Sequence, residues 1–238
     1  MLHDHQLMEG MEIDVHSLKP DCVVCTEAKH SETPFGPSLP RQTKPGELTH
    51  MDLWGKYQIA SIHNNYYYLL MVDDATQHIT IEFLKTKDQV VQKIVNYIVT
   101  LQSQQKTPCT ICTDRGTKFV NESIKTWCQA HGIQTQLTAL YSPSQNGVAE
   151  RMNRTLVELA RAMITAARLP EFLWEPAITH AVYLRNLSFT RSIPDATPYQ
   201  LWYRHKPNVA HLHEFGTPVW ILLQGQKVQQ KMLPKSEC

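Results

Sequence analysis

Two runs rich in aromatic and β-branched residues, 66–73 and 78–84, are separated only by the turn-like Asp74-Ala75-Thr76-Gln77. So short a connection pairs neighbouring strands antiparallel, because a parallel crossover needs a dozen residues or more. Over 87–104 the apolar period lengthens to that of a helix, with Val90, Ile94, Tyr97, Ile98 and Leu101 on one stripe. A strand-like stretch at 47–54 precedes these runs, and a short strand at 110–113 follows them. Asn121 offers an N-cap for a helix that stops near Gly132. The stretch 133–137 reads as a last strand, leading into a long helical segment up to Arg168 and a further helix over 172–187. The order β-β-β-α-β-α-β-α places antiparallel strands first and crossover helices later. It predicts an α/β fold, a mixed sheet flanked by helices.

Residues 1–43 read differently. They hold Cys22-x-x-Cys25, followed by Pro34, Gly36, Pro37 and Pro40, a stretch that supports neither a helix nor a central strand. The expected organisation is a small N-terminal module with its linker (1–43), a catalytic-sized core (44–187) and a partly irregular extension (188–238). With 42% hydrophobic and 19% charged residues the composition is that of a globular chain, which excludes a disordered tail. No apolar run approaches the ~18 residues needed to span a bilayer, and the first residues lack a signal peptide's basic and apolar regions. Six cysteines are too few for a disulfide scaffold and favour an intracellular, reducing setting. The net charge is only +1, so a nucleic-acid role has to rest on local geometry.

Three acidic residues stand out by position: Asp52 within the first strand, Asp114 at the end of a later one, and Glu150 in the first turns of the long helix. On a helical wheel Val148, Met152, Leu156, Leu159, Met163 and Ala167 form an apolar arc, the expected core face. Glu150, Arg154, Arg161 and Arg168 gather on the opposite side. Glu150 is therefore not a buried structural group. Taken alone it is a solvated residue pairing with Arg154 at i,i+4; the conjunction of the three acids is what points to a site. Asp73 and Asp74 are the rival pair. As neighbours at a strand end they point to opposite faces, so at most one can face a cluster. They read as turn residues, with Asp73 a candidate to support a metal ligand from behind.

The segments His50-Met51-Asp52-Leu53, Val72-Asp73-Asp74-Ala75-Thr76, Thr113-Asp114-Arg115-Gly116 and Tyr141-Ser142-Pro143-Ser144-Gln145-Asn146-Gly147-Val148-Ala149-Glu150-Arg151 resemble the integrase of copia-type LTR-retrotransposon polyproteins. Trp174-Glu175-Pro176-Ala177, Thr197-Pro198-Tyr199 and His211-Leu212-His213-Glu214-Phe215-Gly216 continue the resemblance. The 35 residues between Asp114 and Glu150 match the family pattern. The resemblance implies an RNase H-like fold in which Asp52, Asp114 and Glu150 hold two Mg²⁺ (or Mn²⁺) ions. Hard oxygen ligands suit such ions. Two of them about 4 Å apart can activate the attacking oxygen and stabilise the leaving oxygen of an in-line displacement. Water as nucleophile trims a DNA 3′ end, and the resulting 3′-hydroxyl joins it to target DNA. Arg151, Arg154, Arg161 and Arg168 would then track a DNA backbone. Gln77 stands where many members carry Arg, so a contact to DNA or an ion pair made there would be missing. The resemblance further implies double-stranded DNA as partner, a homo-oligomer on paired DNA ends, no membrane, and action in the nucleus after a cytoplasmic particle stage.

Cys22 and Cys25 match the cysteines of the family's His-His-Cys-Cys zinc module. Its histidines should lie about thirty residues upstream, before Met1, and His3, His5 and His16 do not fit that spacing. A partial, N-terminally truncated zinc-binding module is therefore expected. Cys109-x-x-Cys112 runs into a strand, where i and i+3 face opposite sides, so core packing is expected there instead of zinc. Two other functional readings remain open at this point. One is a catalytically silent fragment that binds nucleic acid or protein; the other is a generic RNase H-like nuclease that cleaves but never joins strands.

Overall fold

The computed structural model describes residues 43–113, 122–137, 147–190, 192–193, 195–222 and 236–237. The chain divides into two units, Met1–Pro40 and Arg41–Cys238, and every described residue belongs to the second. Cys22, Cys25, Asn121 and Asp114 lie outside the described residues, as does much of the long motif before Gly147.

Five strands form one sheet: β1 (Leu48–Trp54), β2 (Tyr67–Asp73), β3 (Ile79–Leu84), β4 (Thr110–Thr113) and β5 (Gln134–Leu137), in the order β3-β2-β1-β4-β5. β1 pairs antiparallel with β2, with Asp52 opposite Leu70, and β2 pairs antiparallel with β3, with Leu70 opposite Ile81. β1 and β4 are parallel, as are β4 and β5. The helices are α1 (Val90–Ser103), α2 (Glu122–Ala130), α3 (Gly147–Ala167), α4 (Trp174–Leu187) and the short α5 (Pro198–Tyr203). Beyond α5, β6 (Ile221–Leu222) pairs antiparallel with β7 (Ser236–Glu237). This is the expected mixed sheet flanked by helices, and β1 becomes its centre because the hairpins grow from one edge of it and the crossovers from the other.

Alternation along the strands divides the core in two. Met51, Leu53, Leu69 and Met71 face α1 and α2, packing on Val90, Ile94, Ile98 and Leu101 of the predicted stripe. Tyr68, Leu70 and Val72 face α3 and α4, packing on Met152, Leu156, Trp174 and Ile178. β2 is buried along its whole length, having a helical layer on each side.

The apolar face of α3 differs from the wheel. Ala149, Met152, Leu156 and Ala160 are buried, whereas Leu159 is 38% exposed. The small Ala149 and Ala160 let the helix approach the sheet closely, and this turns Leu159 outward. The helix also ends at Ala167. Arg168 takes a left-handed conformation (φ 52°), and Leu169 N donates to Ile164 O at 3.1 Å to close the end. α2 ends as expected, with Gly132 at φ 70° and Ile133 N donating to Cys128 O.

Past 188 the sequence shows no sustained period, yet α5 forms. Thr197 Oγ1 accepts from Gln200 N at 3.1 Å and Pro198 occupies the first helical turn, so the start signal was a Thr-Pro pair. Trp202 joins the α1-side core, whereas Tyr203 is 46% exposed.

Candidate active site

Asp52 sits mid-β1 and its side chain faces α3. Asn153, buried one turn below Glu150, donates Nδ2–H to Asp52 Oδ2. Its Oδ1 accepts from the Tyr68 hydroxyl at 2.8 Å, which fixes which way the amide points. Tyr68 is fully buried on β2, and burial together with the charge of Asp52 drives its pKa far above the phenol's ordinary value. The hydroxyl therefore stays a donor. Trp54 stacks on the Tyr68 ring (centroids 5.0 Å apart) and touches Trp174 at 5.8 Å, so an aromatic layer holds the chain Tyr68–Asn153–Asp52 in place.

Glu150 is exposed on α3, three residues before Asn153, so the two side chains are neighbours on the helix surface. The helix that bonds Asp52 through Asn153 thus presents Glu150 one turn away. β4 runs parallel to β1, and its last residue, Thr113, pairs with Met51. The next residue, Asp114, is outside the described set. A cleft of about 430 Å³ opens beside Asp52, lined by Asn153, Trp54, Gly55 and Lys56. Gly55 is one of its lining residues, at φ 117°, and a Cβ there would meet Tyr66 O at 2.6 Å, so no other residue fits.

Asp73 and Asp74 separate as neighbours should, but the supporting role falls the other way. Asp73 is buried on the α1 face. It accepts from Gly46 N (2.7 Å), Thr76 N (2.8 Å) and Thr76 Oγ1 (2.6 Å), so it clamps the turn and cannot support Asp52 from behind. Asp74 is the one linked to Asp52's face: its Oδ1 lies 3.1 Å from His50 Nε2, and Thr43 Oγ1 donates to its Oδ2. Gln77, buried at φ 58°, donates its amide to Asp74 O at 3.1 Å and is turned inward. Cys109 Sγ donates to Thr107 O while Cys112 is buried beside His50, so the pair does not converge.

Burial pulls the His50 imidazole down, but its bonds to Asp74 and Cys112 outweigh this and hold its pKa at about 9. Burial, aided by Lys106, holds His78 down at about 4. His50 therefore binds its proton more tightly folded than unfolded, and its stabilisation is complete below pH 6.5 and lost as pH rises through 9. For His78 the sign reverses: its stabilisation is complete above pH 6.5 and lost as pH falls toward 4. Thermal melts from about pH 4 to 9 should show a maximum between these limbs. His50→Gln should flatten the alkaline limb and His78→Phe the acid one.

Arg151, Arg154 and Arg161 are exposed on α3 with Glu150. Arg151 curls back over the helix start, its Nη1 2.7 Å from where a Cβ on Gly147 would stand. Arg168, also exposed, lies past the helix end and leaves the stripe. Asn153 and Tyr68 do not stand out in the sequence. The only signal for Asn153 is a polar residue flanked by Met152 and Leu156 on the inward side of α3.

Residues 42–143 match the integrase core domain family, a span that includes Asp52 and Asp114 and stops before Glu150. The chain is 31% identical over 223 residues to the retrovirus-related Pol polyprotein from transposon TNT 1-94 of Nicotiana tabacum, covering 92% of the chain and 17% of that protein. It is 30% identical over 217 residues to the one from transposon RE1 of Arabidopsis thaliana, covering 90% and 14%. The chain thus spans less than a fifth of these polyproteins. Among solved structures, one from a simian T-cell lymphotropic virus intasome in complex with PP2A regulatory subunit B56 gamma shares the fold. Its TM-score is 0.56 at 21% identity, covering 86% of this chain and 69% of that one.

Proposed function

We propose, from the premise that this chain belongs to the integrase core family of retrovirus-related Pol polyproteins, that it carries out metal-dependent DNA 3′-end processing and strand transfer. The observation that carries this reading is the Tyr68–Asn153–Asp52 chain, which ties the strand acid to the helix bearing Glu150. The donors suit the group: carboxylates are hard ligands, Asp52 is half-buried at the edge of a 430 Å³ cleft, and Glu150 is exposed one helical turn from Asn153 of that cleft. Asp52, Asp114 and Glu150 would hold Mg²⁺ or Mn²⁺, two ions in the family pattern. Bound there, the metal supplies an activated water or 3′-hydroxyl and neutralises charge on the scissile phosphate. Asn153 keeps one Asp52 oxygen oriented, and the aromatic layer keeps Asn153 from rotating. Lys56, at the rim of the cleft, adds positive charge where a phosphate would enter.

Arg154 and Arg161 position duplex DNA toward Glu150 through its phosphates. Arg154→Gln with Arg161→Gln should weaken binding on all sequences alike and reduce the salt slope by about 0.9 for each phosphate no longer neutralised. The substrates in this reading are element ends and target DNA. The active form is a multimer on paired ends, reached in the nucleus after a cytoplasmic particle.

A blunt duplex mimicking an element end, incubated with the chain and Mg²⁺ or Mn²⁺, tests the reading. Trimmed ends that become joined to a second duplex support it. Trimming without any joining indicates a generic nuclease, and no reaction in a folded sample that also gains no stability from metal indicates a silent fragment.

A further inference from the structure

A second cleft, of about 880 Å³, opens where α5 docks against the end of α1, lined by Lys44, Lys106, Arg204, Trp202 and Tyr203 among others. It belongs to the α1 side of the sheet, because Trp202 packs in that core. Asp52 faces the other side, toward α3. Lys106 is fixed in place: its stem lies against Gly46, its ammonium stands 4.1 Å over the Trp202 ring, and Nζ donates to Gln104 Oε1 at 2.9 Å. Arg204 ends α5 at φ 63°, its N–H donating to Gln200 O at 2.8 Å. Burial lowers the Lys106 pKa; Asp73 opposes that and the like charge of Arg204 adds to it, so the two cations feel each other.

The acids nearby are already engaged. Glu47 Oε2 accepts from Lys44 N at 2.8 Å, and Asp73 accepts from Gly46 N, Thr76 N and Thr76 Oγ1. Among the described residues no carboxylate lies within ion-pair distance of Lys44, Lys106 or Arg204. The cations therefore share a cleft with a half-exposed aromatic ring, Tyr203; Glu47 also lines it, so three cations face one carboxylate and the lining is net positive. Small anions need no such ring. Cations that track a backbone beside a flat apolar face are what single-stranded nucleic acid requires.

We propose that this cleft binds single-stranded nucleic acid, with Lys44, Lys106 and Arg204 on successive phosphates and Tyr203 beneath a base. The site is independent of the transferase reading and needs no metal.

The test uses the whole chain, a fluorescent oligothymidine and a duplex of equal length, both in EDTA and in the Arg154→Gln/Arg161→Gln background. Lys106→Met, which keeps the packed stem, combined with Arg204→Gln should weaken oligothymidine binding about tenfold. The salt slope should fall by about 1.4, at roughly 0.7 per single-strand phosphate contact, with duplex binding unchanged. Tyr203→Leu should weaken oligothymidine binding by a similar factor and leave the slope alone. Arg204→Gln alone, which touches no packed group, guards against misfolding of the double variant and should show half the slope change. Unchanged oligothymidine affinity in folded variants overturns the proposal, as does a parallel loss of duplex binding.

Discussion

Glu150→Gln is expected to reduce strand transfer by at least about 10²–10³-fold while leaving the melting temperature in the absence of metal unchanged. The residue is exposed and makes no buried contact, so its removal leaves the packing of α3 intact. The amide keeps the shape but loses the negative charge that binds a hard cation, so stabilisation by Mg²⁺ should fall with activity. Asp52→Asn should match it in activity, because the strand acid is the other described member of the proposed set. It should also shift stability, since Asn153 then faces an amide instead of a carboxylate. Activity measured by joining of radiolabelled ends, beside a thermal melt with and without metal, checks both. Joining at the wild-type level in Glu150→Gln would remove that residue from the site.

The second large effect belongs to Asn153→Ala. It removes the amide that orients Asp52 and leaves the fully buried Tyr68 hydroxyl without its acceptor. The metal concentration for half-maximal activity should rise about 10–100-fold, as for other residues that orient metal ligands. Stability should fall by about 1–3 kcal/mol, the cost of a buried hydroxyl left unsatisfied. Tyr68→Phe separates the two roles: Asn153 survives but can rotate, so metal dependence should shift less and in the same direction. If folded Asn153→Ala shows wild-type metal dependence, the hydrogen-bond chain has no part in the chemistry.

The sheet is readable from sequence because β2 and β3 are runs rich in aromatic and β-branched residues and the connection between them is short. The stripe of α1 is readable because every apolar position on it meets the sheet. The wheel misplaces the α3 face because it weighs large apolar residues, whereas the sheet selects Ala149 and Ala160 for close approach. Asp73, the last residue of β2, and Asp74, the first of the turn, face apart, as their adjacency at a strand end implies. Which of them reaches Asp52's face depends on the register Thr49 opposite Asp73, which hydropathy does not encode. Asn153 is hidden for a related reason. A lone Asn in a helix usually faces water, and its burial follows only once β1 and β2 bring Asp52 and Tyr68 beneath it. Trp202 shows the same dependence on distant partners, since its place beside His78 and Lys106 joins segments far apart in the chain.

The most direct measurement is splicing of a branched oligonucleotide that mimics the strand-transfer product, with Mg²⁺ or Mn²⁺, wild type beside Glu150→Gln. It needs one active centre and no paired-end assembly, so it isolates the chemistry from oligomerisation. Metal-dependent splicing by the wild type that disappears in the variant is the predicted result. Splicing that persists in Glu150→Gln, or a folded wild type that neither splices nor gains stability from metal, would contradict a transferase centre built on Asp52 and Glu150.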